Sequence, residues 1–158
     1  MEVMMKAIVV GSINVDRVFD VKRIVKEGET IISSSEKKFL GGKGLNQAIA
    51  LSQLHHQVYF YTNINPNNQF VIEQLDQYSF NYDLSNKKDL PMGEAIIQVD
   101  KHGENAIILS PNANRLIDAA DVQKALDHFS KGDILIVQNE INGVPEIIKY
   151  AKSKGLTI

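Results

Sequence analysis

Short β-branched runs alternate along this chain with stretches of helical period. Lys6-Ala7-Ile8-Val9-Val10 has no polar position after its lysine and stops at Gly11, the pattern of a strand buried on both faces, here the first of a parallel sheet. Ser12, Asn14 and Asp16 then alternate with Ile13, Val15 and Val18, so an extended backbone turns the three polar side chains to one side. That is either the polar wall of a cleft or a set of turn caps. Thr30-Ile31-Ile32 and Lys37-Lys38-Phe39-Leu40 predict further extended segments. Leu45, Ala48, Ile49 and Ser52 recur at helical spacing and predict an amphipathic helix ending near Leu54. Val58 to Thr62 predicts the next strand, 63–68 an asparagine-rich turn, and 70–78 a short helix.

The stretches Gly93 to Val99 and Ala106 to Leu109 predict two strands around Asp100-Lys101-His102-Gly103-Glu104, a hairpin with glycine late in its loop. Ala95, Ile97 and Val99 share one face, Ile96 and Gln98 the other. Set into a series of strand–helix units, such a hairpin has little core of its own. It is either a lid whose second face is free for a dimer contact, or the edge of the main sheet, and pattern alone leaves both open. Asp118 caps a helix carrying Val122, Ala125, Leu126 and Phe129, and the buried run 134–137 places Gln138-Asn139-Glu140 at the carboxyl end of a strand. A last helix over 146–154 closes at Gly155, and Leu156-Thr157-Ile158 begins another strand. The expectation is an α/β fold whose architecture continues past Ile158.

Composition narrows the chemistry. A chain of 158 residues can bury the core of one domain. Its net charge of −2 and sequence pI near 6.1, with lysines dispersed, predict neither a nucleic-acid nor a membrane partner. Without cysteine there is no disulfide, thiolate nucleophile or cysteine-held zinc. His55, His56, His102 and His128 have no metal-ligand spacing, the adjacent pair being expected at a helix end, and no metal ligand is expected in the chain. No signal peptide or membrane-spanning run is present, so the expected setting is cytoplasmic.

The chemistry concentrates in Leu40-Gly41-Gly42-Lys43-Gly44-Leu45-Asn46-Gln47-Ala48, where three glycines and a lysine run into a helix. Glycines permit positive φ and close backbone approach, and the N–H groups of a helix start attract electron-rich oxygens. A phosphate-binding P-loop needs Ser or Thr after its Gly-Lys, and Gly44 stands there instead; the dinucleotide fingerprint is missing too. What remains is Asp16, the neighbouring amide of Asn14, the glycine turn with Lys43 and Asn46, and Glu140, which sits where ligands bind in open α/β sheets or is a solvated loop acid. Carboxylates accept and amides both donate and accept, so the set suits a ligand with several adjacent hydroxyls, a sugar or a ribose moiety.

With Gly11-Ser12-Ile13-Asn14-Val15-Asp16, Gly28-Glu29-Thr30, the glycine turn 41–48, Gly103-Glu104-Asn105, Asn112-Ala113-Asn114 and Gln138-Asn139-Glu140, the sequence resembles the ribokinase, or PfkB-type, carbohydrate kinase family from about Lys6 onward. The resemblance implies a Rossmann-like, three-layer α/β domain with a mostly parallel sheet. It also implies a small β-sheet lid, about 14–40 and 90–110, that clasps a second copy into a homodimer. The implied activity is ATP-dependent phosphorylation of a sugar's primary hydroxyl, O5 for ribose, with Mg2+ and a monovalent cation. By the same resemblance Asn14, Asp16, Gly42, Lys43, Asn46 and Glu140 hold the sugar and Ala95 and Ile97 cover it. A fructokinase, a nucleoside kinase, or a non-catalytic sugar-binding or dimerising module are the alternatives. Two departures stand out. Thr62 to Phe70 lacks the family's glycines, leaving Asn65, a residue able to tolerate a glycine's backbone angles, and Phe70, where packing is in question. The family's Gly-Ala-Gly-Asp and Asn-x-x-Glu segments do not occur, so the general base and most of the nucleotide site are expected beyond Ile158, and the chain alone is expected not to turn over.

Overall fold

The computed structural model describes residues 5–54 and 57–158, which leaves the expectation for His55 and His56 outside the described residues. In chain order the elements are β1 (Ala7–Val10), β2 (Asn14–Val21), β3 (Ser35–Gly41), α1 (Lys43–Ser52), β4 (Val58–Tyr61), β5 (Asn63–Ile64), α2 (Gln69–Leu75), β6 (Asn86–Lys87), β7 (Gly93–Asp100), β8 (Asn105–Ser110), a 3₁₀ turn (Asn112–Leu116), α3 (Ala119–Leu126), β9 (Ile134–Val137) and α4 (Val144–Ser153). The main sheet runs β4-β1-β9, all parallel. As the central strand, β1 is buried at every residue, which is why its sequence shows no polar alternation.

Alternate residues of β1 feed two cores. Ile8 and Val10 pack with Val122, Leu126, Ile147 and Ala151 of α3 and α4, whereas Val9 packs with Leu45, Ala48, Val71 and Leu75 of α1 and α2. The result is the expected three-layer α/β/α arrangement, mostly parallel in its main sheet. Thr157 forms a single parallel bridge with Ile134 on the free side of β9.

The predicted hairpin, β7–β8, is not on the edge of the main sheet. It belongs to a separate four-stranded sheet ordered β3-β2-β7-β8, entered from β1 through Gly11–Ile13 with no intervening helix. β2 pairs antiparallel with β3 and parallel with β7. One local expectation is corrected. Thr30–Ile32 lies in the loop between β2 and β3 and joins no strand, and Ile32 is 91% exposed. Asn65, which could tolerate glycine-like angles, does not take them: among the described residues Asn112 is the non-glycine with positive φ, and Asn65 Oδ1 accepts from Asn67 N–H in an Asx turn. Phe70 is accommodated, half-buried against the α1/α2 core.

Candidate functional site

Two backbone segments cross at the carboxyl end of β1. Ser12 O accepts from Leu45 N–H at 3.0 Å, and the first turn of α1 lies against Gly11–Ile13. A methyl group on Gly44 would lie 2.6 Å from Gly11 C and Ser12 N, and one on Gly42, whose φ is 103°, would lie 2.6 Å from Ser12 O. These glycines are required because backbone meets backbone there. The crossing brings the start of α1 beside the end of β9, and β2 carries Asn14 and Asp16 out along one wall.

At the junction Glu140 accepts from the Ser12 hydroxyl at 2.6 Å and is ion-paired with the Lys43 ammonium. Burial pulls the Glu140 carboxyl upward, but hydrogen bonds from the Lys43 ammonium, the Ser12 hydroxyl and the Lys43 backbone N–H outweigh it and hold the group below the usual glutamate range. The positive end of α1 is thus met by a carboxylate of the protein itself. Gly44 N–H points at the Ser12 hydroxyl at 3.5 Å, and Leu45 N–H is used by Ser12 O. A helix start filled this way does not call for a phosphate, in line with the failed P-loop match.

Asp16 has the opposite environment. Burial pushes its carboxyl above the usual aspartate range, and it has no hydrogen-bond partner among the described residues. Gly41 makes room for it, since a methyl there would lie 1.9 Å from Asp16 Oδ2. Asn14 is 7% exposed, and its Oδ1 accepts from Asn114 Nδ2 at 2.8 Å.

These groups enclose one cavity of about 260 Å³, and Asn14, Asp16, Gly42, Lys43, Asn46, Ala95, Ile97 and Glu140 all line it. The structure thus brings together all eight residues singled out in the sequence. Two were missed: Ile107 and Leu109 of β8 complete the apolar side, opposite Ile97 and Ala95 in the hairpin register. The hairpin pattern carried that signal, because residues facing each other across an antiparallel pair share a face. A larger depression of about 560 Å³ lies in the β2–β3 loop, lined by Lys22, Arg23 and Thr30 to Ser34. It is walled by one loop and contains no carboxylate, whereas the smaller cavity joins polar hydrogen-bonding groups to an apolar cover. Among the described residues no group of three His, Asp or Glu side chains converges as a metal site, and no helix is long and apolar enough to cross a membrane.

Residues 4–150 match the pfkB family carbohydrate kinase model. The chain is 32% identical to ribokinase of Staphylococcus aureus over 96% of its own length and 52% of that protein, and 33% identical to ribokinase of Haemophilus influenzae over 95% and 51%. It superposes on ribokinase of Arabidopsis thaliana, solved in complex with ribose and ATP, with a TM-score of 0.80 and 26% identity over 97% of this chain and 52% of that one. For ribokinase of Thermotoga maritima the TM-score is 0.78 at 28% identity, covering 98% and 51%. The chain spans about half the length of the curated relatives it matches.

Proposed function

The chain belongs to the pfkB family of carbohydrate kinases, and from that premise we propose that it supplies the sugar-holding side and the lid of an ATP-dependent ribokinase that phosphorylates O5 of D-ribose. One observation carries the reading: a carboxylate without a partner among the described residues, a buried amide, a lysine and an apolar cover converge on a cavity of sugar-fitting chemistry. In this role Asp16 accepts from sugar hydroxyls and Asn14, Lys43 and Asn46 donate to them. Gly42 lets the backbone approach, and Glu140 holds Lys43 and the start of α1 in place. Ala95, Ile97, Ile107 and Leu109 cover the carbon face and keep water away. Phosphoryl transfer depends on positioning and charge stabilisation, so a rigid cradle for the acceptor is what this half contributes.

ATP, Mg2+ and a monovalent cation belong to the proposal as partners of the whole kinase. The described residues offer no convergent metal site. The sequence contains neither Gly-x-Gly-Asp nor Asn-x-x-Glu, and the chain by itself is expected to bind sugar without turning it over. The proposed setting is the cytoplasm. Phe39, Ile107 and Leu109, 51%, 56% and 47% exposed on the cavity face of the second sheet, support a homodimer formed lid to lid.

A thermal-shift series with D-ribose, fructose, adenosine and Mg-ATP tests the reading, since a ligand that binds the folded state alone raises the melting temperature. Ribose should stabilise the chain. A response to fructose or adenosine in place of ribose would move the assignment to another kinase of the family, and no response to any sugar would contradict the cradle.

A further inference from the structure

Asn114, in the 3₁₀ turn after β8, does not line the cavity, yet its side chain is 3% exposed and fully engaged. Ile13 N–H donates to Asn114 Oδ1 at 3.0 Å, and Asn114 Nδ2 donates to Ile13 O at 3.2 Å and to Asn14 Oδ1 at 2.8 Å. A backbone N–H can only donate, so Ile13 decides which end of the Asn114 amide is oxygen. The other end must then be a donor, and the atom of Asn14 that meets it must be oxygen. That leaves Asn14 Nδ2 without a partner among the described residues, on a side chain that lines the cavity beside Asp16.

We infer that Asn114 is a positioning residue for substrate selection: through two amides anchored on Ile13 N–H, it holds Asn14 as a donor next to the Asp16 acceptor. The pair then selects a ligand hydroxyl that accepts from Asn14 and donates to Asp16. A ketone or ether oxygen can do only the first, an ammonium only the second, and a deoxy position neither. Gly93 reserves the space for the arrangement, since a methyl there would lie 2.3 Å from both Asn114 Nδ2 and Asn14 Oδ1. The inference rests on the reading of the cavity as a sugar site.

The test is calorimetric titration of the chain and of its Asn114→Asp variant with D-ribose, 2-deoxyribose and 3-deoxyribose. For one of the two deoxy sugars the unaltered chain should lose about tenfold or more in affinity relative to ribose, because the deoxy position leaves buried polar groups unpaired. Asp at 114 offers acceptors only, so Asn14 must turn its amide and present oxygen to the cavity, and the ribose-to-deoxy ratio should fall toward one. A purely structural role would weaken all three sugars alike, and an unchanged ratio would overturn the inference. Should the variant not fold, NMR on the unaltered chain decides: scalar coupling across the hydrogen bond from Asn114 Nδ2 to Asn14 Cγ supports the relay, and coupling from Asn14 Nδ2 to Asn114 Cγ overturns it. If the unaltered chain binds no sugar, the sugar-site reading fails, while the coupling still reports the amide orientation.

Discussion

The Ser12 hydroxyl donates to Glu140 at 2.6 Å, joining the end of β1 to the end of β9 across 128 positions of sequence. With the Lys43 ammonium on its other oxygen, this carboxylate ties three elements together at the mouth of the cavity. Because the folded state holds Glu140 below its ordinary value of 4.5, its contribution to stability is complete above that value and is lost as pH falls through the lower folded one. Ser12→Ala removes one of the groups that hold it down. Melting curves between pH 7 and 3 should show a loss of about 1 kcal/mol at neutral pH and a shallower acid limb than the parent. An acid limb of unchanged slope would mean that the bond does not set the ionisation of Glu140.

Asp16 runs in the opposite sense. A carboxyl raised above 3.8 by burial makes the ionised form unfavourable in the folded state, a penalty present at neutral pH, relieved as pH falls through the raised folded value and gone below the unfolded one. Asp16→Asn should therefore leave the fold as stable or raise stability by less than about 1 kcal/mol, since the group is partly solvated. The same change should abolish ribose binding. For the parent, affinity should decline as pH drops through the raised Asp16 value, because the neutral acid is a weaker acceptor. Paired melting and titration experiments check both halves.

Gly44 and Gly103 separate close approach from backbone strain. A methyl at Gly44 meets the backbone of Gly11 and Ser12, whereas at Gly103, with φ 83°, it meets nothing within 4 Å. Gly44→Ala should cost about 1–3 kcal/mol by forcing β1 and α1 apart and should weaken sugar binding. Gly103→Ala should cost about 1 kcal/mol from the left-handed backbone alone, with binding unchanged. Chemical denaturation gives the first quantity and calorimetry the second.

Phe39 pairs with Asp16 in the β2–β3 register and stands 51% exposed beside the cavity. If the lids clasp, Phe39→Glu places a charge in an apolar contact, and sedimentation velocity should show the parent as a dimer and the variant as a monomer. A parent that is monomeric at high concentration would contradict the clasp.

Much of this was readable from residues. Ala7–Val10 has no polar position because both of its faces are buried, and the Asn14/Asp16 alternation follows from the extended backbone of β2 along the cavity, whereas Ser12 lies before that strand and turns to Glu140. What could not be read was non-local. The hairpin's separation from the main sheet depends on β2 leaving β1 without a helix and pairing in parallel with β7, a contact between segments about eighty residues apart. The part played by Asn114 depends on a bond to Ile13 formed across 101 positions, for which local pattern has no signal. Nor does the sequence show that Asn65, able to tolerate left-handed angles, has no need of them because its side chain bonds to its own turn.

The central claim is that the cavity between β2, β7 and the start of α1 holds the sugar. A crystal structure of the chain grown with D-ribose tests it most directly. The account predicts a ribose with hydroxyls on Asn14 and Asp16 and its carbon face under Ala95 and Ile97. Ribose in the β2–β3 loop depression instead, or an empty cavity at saturating sugar, would contradict it.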